Sequence, residues 1–296
     1  MECEIGGDGV RYLSLFSGAG GGDLASQHLL NHNCVGYVEY EKYCQKVLRQ
    51  RIKDGLLDAA PVFGDIRRFV SEGYAGRYTG LVDVITAGFP CQPFSVAGKQ
   101  RGADDERNMW PATMDTIRII RPGYAFLENV PGLLVSGYFG TILSDLHEIG
   151  YNAKWTVLGA SDIGAPHKRK RLWILAERVK PGLERYTWNG KNRDKPGWND
   201  SVKGRSVGKG GLRKGNMAHT NGKRGPRWAG CDKADRCDRG QKIQSQWKPE
   251  KYNWFPEPNV GRVANGVANR VDRLKAIGNG QVPQVAATAW RILTGG

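Results

Sequence analysis

The chain predicts an α/β fold, a doubly wound and mostly parallel sheet with a small, irregular, basic region inserted near its C-terminal end. Three observations predict it. Short apolar runs alternate with helical spacing through the first 180 residues, a glycine-rich turn follows the first run, and composition changes abruptly near residue 178. Strands that alternate with helical segments build βαβ units, and these close into parallel sheets covered by helices on both faces.

The elements follow in order. Tyr12 to Phe16 predicts the first strand, then come glycines and a helix from about Asp23 to Leu30. Cys34 to Val38 predicts the second strand, with a helix from Glu41 to Gln50 behind it. Val62-Phe63 is a short third strand, Leu81 to Thr86 the fourth and Ala125 to Val130 the fifth. Between the last two, Met109, Ala112, Thr113, Thr116, Ile117 and Ile120 recur at helical spacing. Tyr151 to Leu158 and Arg171 to Ala176 predict two further strands. Regular structure returns at Val260, and Val282 to Leu293 predicts a terminal amphipathic helix opened by Pro283, set beside the first strand and helix.

With 296 residues, 40% of them hydrophobic and 25% charged, the chain has the make-up of a soluble globular protein with a substantial core. No apolar run has the length of a membrane span and Met1 to Gly6 has no leader character, which makes the cytoplasm the expected compartment. Six cysteines without a CxxC pair predict reduced thiols. The net charge of +15 is unevenly held: residues 1–150 carry −4 and residues 151–296 carry +19. Such asymmetry predicts a polyanionic partner, most simply nucleic acid.

Residues 178–250 hold 19 Lys/Arg against 7 Asp/Glu, with Trp188, Trp198, Trp228 and Trp247 spread along them. No period emerges, so loops and short strands are expected there. His219, Cys231 and Cys237 fit no common zinc spacing, and no metal is expected. The expected organisation is a first domain over 1–177, an irregular basic region over 178–254, and a return to the first domain over 255–296.

The chemistry concentrates in the turns after the strands. Phe16 to Asp23 joins the first strand to the first helix, and glycines there let backbone approach a ligand. Glu39 lies 21 residues after Gly18, at the end of the second strand, where a ribose diol is bound in such folds. Asp23 takes the third glycine's place in the GxGxxG pattern, and a carboxylate at a helix N-terminus repels pyrophosphate. A nucleoside cofactor without phosphates is therefore favoured, and S-adenosylmethionine fits. Asp65 is then placed for the adenine amino group, with Ile66 and Tyr40 flanking the ring. Cys91, in Gly88-Phe89-Pro90-Cys91-Gln92-Pro93, sits just past the fourth strand, where a free thiol is only about 3% ionised at neutral pH. No histidine lies near it in sequence. Glu128 ends the fifth strand at the same sheet edge, and the alternate spacing of Arg169 and Arg171 lets both point to one face.

The blocks Leu13 to Gly21, Glu39-Tyr40, Gly64-Asp65-Ile66, Gly88 to Ser95, Glu128-Asn129-Val130, His167 to Arg171 and Ala276 to Gly280 stand in one order along the chain. In these blocks the chain resembles the DNA (cytosine-5)-methyltransferases of bacteria and phages. It departs from them at His167, where the family has Gln, and in the shortness of its insert. The resemblance implies a Rossmann-like, S-adenosylmethionine-dependent fold and a covalent mechanism on a flipped-out base of duplex DNA. Cys91 would be the nucleophile and Glu128 the group engaging ring nitrogen 3, with Arg171 and Arg169 holding the base. It implies a cofactor site made by Phe16, Gly18, Ala19, Gly20 and Gly21 with Glu39, Tyr40, Asp65 and Ile66, and Pro90 beside them. Asn279 joins that set and supports the catalytic loop. The loop from Gln92 to Gly102 would close over DNA, bringing Gln92, Ser95, Lys99 and Arg101 to it. A monomer is expected, with a cognate restriction endonuclease as a further partner. The alternatives are an RNA (cytosine-5)-methyltransferase and a catalytically silent DNA-binding homologue. The first is disfavoured by the absence of a Cys-Phe-Thr tripeptide, the second by the intact Cys91, Glu128, Arg169 and Arg171. A nicotinamide dehydrogenase is disfavoured by Asp23 and leaves Cys91 unexplained.

Overall fold

The computed structural model describes residues 9–90, 108–179 and 270–295. All of them belong to one unit of the chain, Met1–Lys180 with Gln244–Gly296. The other, Pro181–Ile243, lies outside the described residues, as do nearly all of the inserted region and residues 255–269.

Seven strands make one sheet: β1 Val10–Leu15, β2 His32–Val38, β3 Val62–Phe63, β4 Val84–Ala87, β5 Tyr124–Asn129, β6 Tyr151–Leu158 and β7 Arg171–Arg178. Their spatial order is β3-β2-β1-β4-β5-β7-β6. The first five run parallel, while β7 is antiparallel to both of its neighbours. The chain thus builds outward from β1 in one direction and from β4 in the other. The crevice where the direction switches lies at the C-terminal ends of β1 and β4, the place where open α/β sheets bind ligands.

Side chains alternate across this sheet, as the period of a strand requires. Leu13, Leu15, Ile85, Ala87, Ala125 and Leu127 face a core shared with α3 (Ile66–Ser71), α4 (Trp110–Ile120) and α5 (Tyr138–Glu148). Tyr12, Val84 and Phe126 face the opposite core, shared with α1 (Gly21–His28), α2 (Lys42–Lys53) and α7 (Pro283–Thr294). The remaining helix, α6, spans Arg270–Asn279. Pro283 opens α7 and Gly295, at φ 103°, closes it, the asymmetry that proline's fixed φ and glycine's left-handed freedom produce. The apolar side of α7 buries Val285, Ala286, Ala289 and Leu293, and Arg291 donates to the Leu29 carbonyl at the end of α1 (2.9 Å). The terminal helix therefore packs on the first one, as the sequence predicts.

Two expectations need correction. The fourth strand starts at Val84 rather than Leu81, because Leu81 is turned to solvent and Asp83 bonds Arg11 through both backbone N–H (2.9 Å) and Nε (3.2 Å). Asp23 does not guard the helix N-terminus against a ligand. Its carboxyl is turned into the core, where Tyr12 Oη donates to it at 3.1 Å and Gln27 in turn donates to the hydroxyls of Tyr12 and Tyr37.

Burial pushes the Asp23 carboxyl up to about 6, against the pull of hydrogen bonds from Ser14 and Tyr12. A carboxyl whose pKa is raised by folding favours the fold below its unfolded value and opposes it once pH rises through the folded one. The unfolding free energy of wild type minus that of Asp23→Asn is therefore expected to fall by about 2.5 kcal/mol between pH 4 and pH 8. Urea denaturation across this range checks it, and a difference that does not change with pH would contradict the assignment.

Candidate active site

The turn after β1 is shaped by an unusual backbone. Phe16 has φ 55°, a left-handed conformation that costs a non-glycine residue about 1–2 kcal/mol. Gly18 follows at φ 58° with open space where its Cβ would be, so the backbone is bare on the cleft side. Gly20, at φ 85°, instead packs on Leu57 and Leu48. Glu39, at the end of β2, fastens this turn: Oε2 accepts from Gly18 N–H and Oε1 from Glu41 N–H, both at 2.7 Å. Burial raises the Glu39 pKa, and these two backbone donors oppose the rise. Each oxygen keeps acceptor capacity for a hydroxyl beyond the one N–H it holds.

At the other side of the crevice, β4 ends at Ala87, paired to Leu127, and β5 runs two residues further through Glu128 and Asn129. Phe89 is buried against Trp110 (5.3 Å between rings), and Asn129 Nδ2 donates to the Phe89 carbonyl at 3.1 Å. The segment that leads into Cys91 is thus anchored up to exposed Pro90. Glu128 forms an ion pair with Arg171 at the start of β7, Nε to Oε1 at 2.8 Å. Its pKa is nonetheless raised: burial outweighs the attraction of Arg171, then of Arg169, and hydrogen-bonding from the Gln281 amide. A larger share of this carboxyl is protonated at neutral pH than of an ordinary glutamate.

Arg169 and Arg171 do not act alike. Arg171 Nε takes the Glu128 carboxylate, whereas Arg169 Nη2 donates to the carbonyls of Gly278 (2.8 Å) and Gly280 (2.5 Å). Arg169 therefore ties the end of α6 to the sheet, close enough to Glu128 for their charges to be felt. Burial, followed by repulsion from Arg171, lowers its pKa.

Between these elements lies a cleft of about 670 Å³. Of the residues the sequence assigns to a cofactor, Phe16, Gly18, Glu39, Tyr40, Asp65, Ile66, Pro90 and Asn279 line it, together with Glu128 and Arg171. Ala19, Gly20 and Gly21 do not: Gly20 meets Leu57 and Leu48, and Gly21 lies against Gln281. Cys91, Gln92, Ser95, Lys99 and Arg101 lie outside the described residues. Tyr40 is 66% exposed and Ile66 only 3%, so they differ sharply as candidate walls for a ring. Asp65 is already engaged: it caps α3 by accepting from Arg67 N–H (2.9 Å) and pairs with the Arg67 guanidinium (2.6 Å). The Arg67 side-chain bond leads the causes that hold its pKa below the ordinary carboxylate value. The acceptors suit a nucleoside with hydroxyls and an exocyclic amine: Glu39 forms no ion pair among the described residues, while Asp65, Glu41 and Glu128 share the cleft with their partners Arg67, Lys275 and Arg171.

Two residues were not assigned a role from sequence. Asn129 carried no signal beyond its place beside Glu128, and Gln281, an uncharged residue in a loop, carried none. The one available sign of Gln281 was the glycine content at positions 21, 22 and 88, whose shared neighbour only a fold reveals.

The pattern of the C-5 cytosine-specific DNA methylase family matches residues 10–214. Type II methyltransferase M.NgoMIV of Neisseria gonorrhoeae is 34% identical over 167 residues, which are 55% of this chain and 50% of that protein. Type II methyltransferase M.HhaI of Haemophilus parahaemolyticus is 33% identical over 176 residues, 57% of this chain and 50% of that protein. The solved S. pombe Dnmt2 methyltransferase is 23% identical with a TM-score of 0.46, covering 58% of this chain and 52% of that one. The chain spans about half the length of the two Type II relatives. With a match over residues 10–214, the chain belongs to the C-5 cytosine-specific DNA methylase family.

Proposed function

We propose that this protein transfers a methyl group from S-adenosylmethionine to carbon 5 of cytosine in a specific duplex DNA sequence, through a transient adduct of Cys91. The observation that carries the reading is the Glu128–Arg171 pair at the mouth of the crevice, next to the anchored Gly88-Phe89-Pro90 segment whose following residue is Cys91. Both relatives named above are called Type II methyltransferases, which supports it further.

In this reading Glu39 takes the ribose hydroxyls, Asp65 the adenine amine, and Phe16, Tyr40 and Ile66 the apolar faces. Bound there, S-adenosylmethionine supplies an electrophilic methyl group. The target cytosine leaves the stack, at a cost of a few kcal/mol. Cys91 thiolate bonds to carbon 6, and its electron pair displaces π electrons toward ring nitrogen 3. Glu128 holds or gives a proton at that nitrogen, a task suited to a carboxyl whose burial favours the protonated form. Arg171 keeps Glu128 in place and stabilises the charge that develops. Carbon 5, now enamine-like, would take the methyl group as its bond to the sulfonium sulfur breaks and the bonding pair stays on sulfur. Loss of the carbon 5 proton then expels Cys91 as thiolate and restores the aromatic ring.

Duplex DNA is the substrate, and the basic residues of 178–254 supply phosphate contacts and base readout. No helix among the described residues is long and apolar enough to cross a membrane. A cytoplasmic monomer, with one site per flipped base, and a cognate endonuclease that gives the mark its use complete the reading.

Incubation with methyl-labelled S-adenosylmethionine and mixed-sequence duplex DNA is expected to place the label on carbon 5 of cytosine within one short sequence. Label on RNA alone, or on no nucleic acid, would overturn the proposal.

A further inference from the structure

Three glycines from two distant parts of the chain share one neighbour, Gln281, in the loop between α6 and α7. A Cβ added at Gly21 would collide with the Gln281 carbonyl oxygen, and one at Gly22 with Gln281 Oε1. A Cβ at Gly88 would meet Gln281 Nε2 at 3.1 Å and Glu128 Oε2 at 3.0 Å. Gly21 does not admit alanine without displacement of the loop backbone, Gly22 does not without displacement of the Gln281 amide, and Gly88 leaves no slack beside it. Arg169 fixes the segment from the other side through the carbonyls of Gly278 and Gly280.

The slot holds the amide by both ends. Its oxygen lies at the first turn of α1, where free N–H groups and the positive end of the helix favour an acceptor. Its nitrogen is thereby left on the Glu128 side, where it donates to the carboxyl. Arg171 takes Oε1 of that carboxyl, and the Gln281 nitrogen and Glu128 Oε2 lie together at Gly88.

We propose that Gln281 is a positioning residue for Glu128, locked by its glycine slot so that its amide N–H and the Arg171 guanidinium hold the carboxyl from two sides. The inference rests on the reading of Glu128 as the group that engages the target base. It also links the site to the C-terminal helices, since Gln281 leads directly into α7. Among the described residues, the charged groups around Glu128 are Arg171 from β7 and Arg169 from the segment before it. Asp23 of α1 lines the same small cavity of about 40 Å³ as Glu128 and Gln281. Gln281 gives the carboxyl a donor without adding a charge to that set. Loss of this donor removes a bond that favours the ionised carboxylate, and so moves its titration upward.

The test uses Gln281→Met, similar in length without the amide, and Gln281→Glu, similar in shape with a carboxyl in its place. Two quantities are read: steady-state methylation, and the ¹³C carboxyl signal of Glu128 in glutamate-labelled protein, identified by its loss in Glu128→Gln. In Gln281→Met, kcat is expected to fall about tenfold, the loss of one hydrogen bond to a charged group, with KM for cofactor and DNA within about twofold. The Glu128 signal is expected to titrate at higher pH in Gln281→Met and higher again in Gln281→Glu, where a second carboxyl faces it. An unchanged titration in both variants would overturn the inference, as would a loss of rate confined to KM. If Gln281→Met does not fold, the Gln281→Glu titration decides alone. The carboxyl signal needs no turnover, so a shift in a protein that methylates nothing would sustain the Gln281–Glu128 contact while removing the methyltransferase reading. Active wild type with no shift would do the reverse.

Discussion

Replacement of Cys91 by serine is expected to lower methyl transfer to duplex DNA by about 10⁴-fold or more. The same change should abolish a covalent complex with duplex carrying 5-fluorocytosine. The argument is one of nucleophilicity. A thiol is a few per cent ionised at neutral pH, whereas a serine hydroxyl stays protonated without an adjacent base, and no histidine lies near position 91 in sequence. Without attack at carbon 6, carbon 5 never acquires the electron density that takes a methyl group. Fluorine at carbon 5 blocks the proton loss that frees the enzyme, so wild type should be caught as an adduct that survives denaturation. The variant should still bind cofactor, because the residues placed around the cleft (Phe16, Gly18, Glu39 and Asp65) lie elsewhere in the chain. Denaturing gel shifts and cofactor titration read both halves. Normal methylation by Cys91→Ser would remove the covalent mechanism.

Glu128→Gln should have the second-largest effect, a fall in kcat of about 10²-fold or more. Glutamine keeps the shape and offers an N–H, but it cannot give a proton to the ring nitrogen. It also leaves Arg171, whose guanidinium side chain is 23% exposed, without its counter-charge. The pH profile separates the two losses. Where the protonated carboxyl does the work, the wild-type rate declines as pH rises through the Glu128 pKa, which burial holds above the usual glutamate value. The thiol demands the opposite, so the acid limb belongs to Cys91. In Glu128→Gln the alkaline limb assigned to the carboxyl should vanish while the acid limb remains. A profile of unchanged shape would mean that Glu128 acts only through Arg171.

The sheet was legible because strands buried on both faces read as apolar runs: Cys34 to Val38 and Ala125 to Leu127 in the parallel part, and Leu172 to Ala176 in antiparallel β7, show it without help from periodicity. The helices were less evenly readable. Trp110–Ile120 carries buried residues at 110, 113, 114, 117 and 120, a full stripe. Three helices had no place in the sequence-based account. Ile66–Ser71 is too short for a period to repeat, and Tyr138–Glu148 starts after a left-handed Gly137 and has another glycine inside. Arg270–Asn279 turns Val271, Leu274 and Ile277 outward, so its apolar spacing does not mark a core. In the site, charged residues in dense motifs could be found. The difference between Arg169 and Arg171 could not, because alternate spacing predicts a shared face and carries no information on carbonyls more than 100 residues away. The glycines misled in a similar way: bare backbone predicts a close approach, but not whether a ligand or Gln281 makes it.

The packing of the terminal helix on the first one has a consequence for how the protein is made. On a ribosome, α1 and the sheet face beneath it emerge early, while α7, which covers part of that face through Val285, Ala289 and Leu293, comes some 250 residues later. At usual elongation rates of about 5–20 residues per second, that apolar face waits on the order of ten seconds to a minute for its cover. Contacts of such long sequence separation also form slowly by themselves. A nascent chain is therefore open to chaperones or to aggregation on that face in particular. Gln281, which lies just before α7, reaches Glu128 more than 150 residues of synthesis after Glu128 itself has been made.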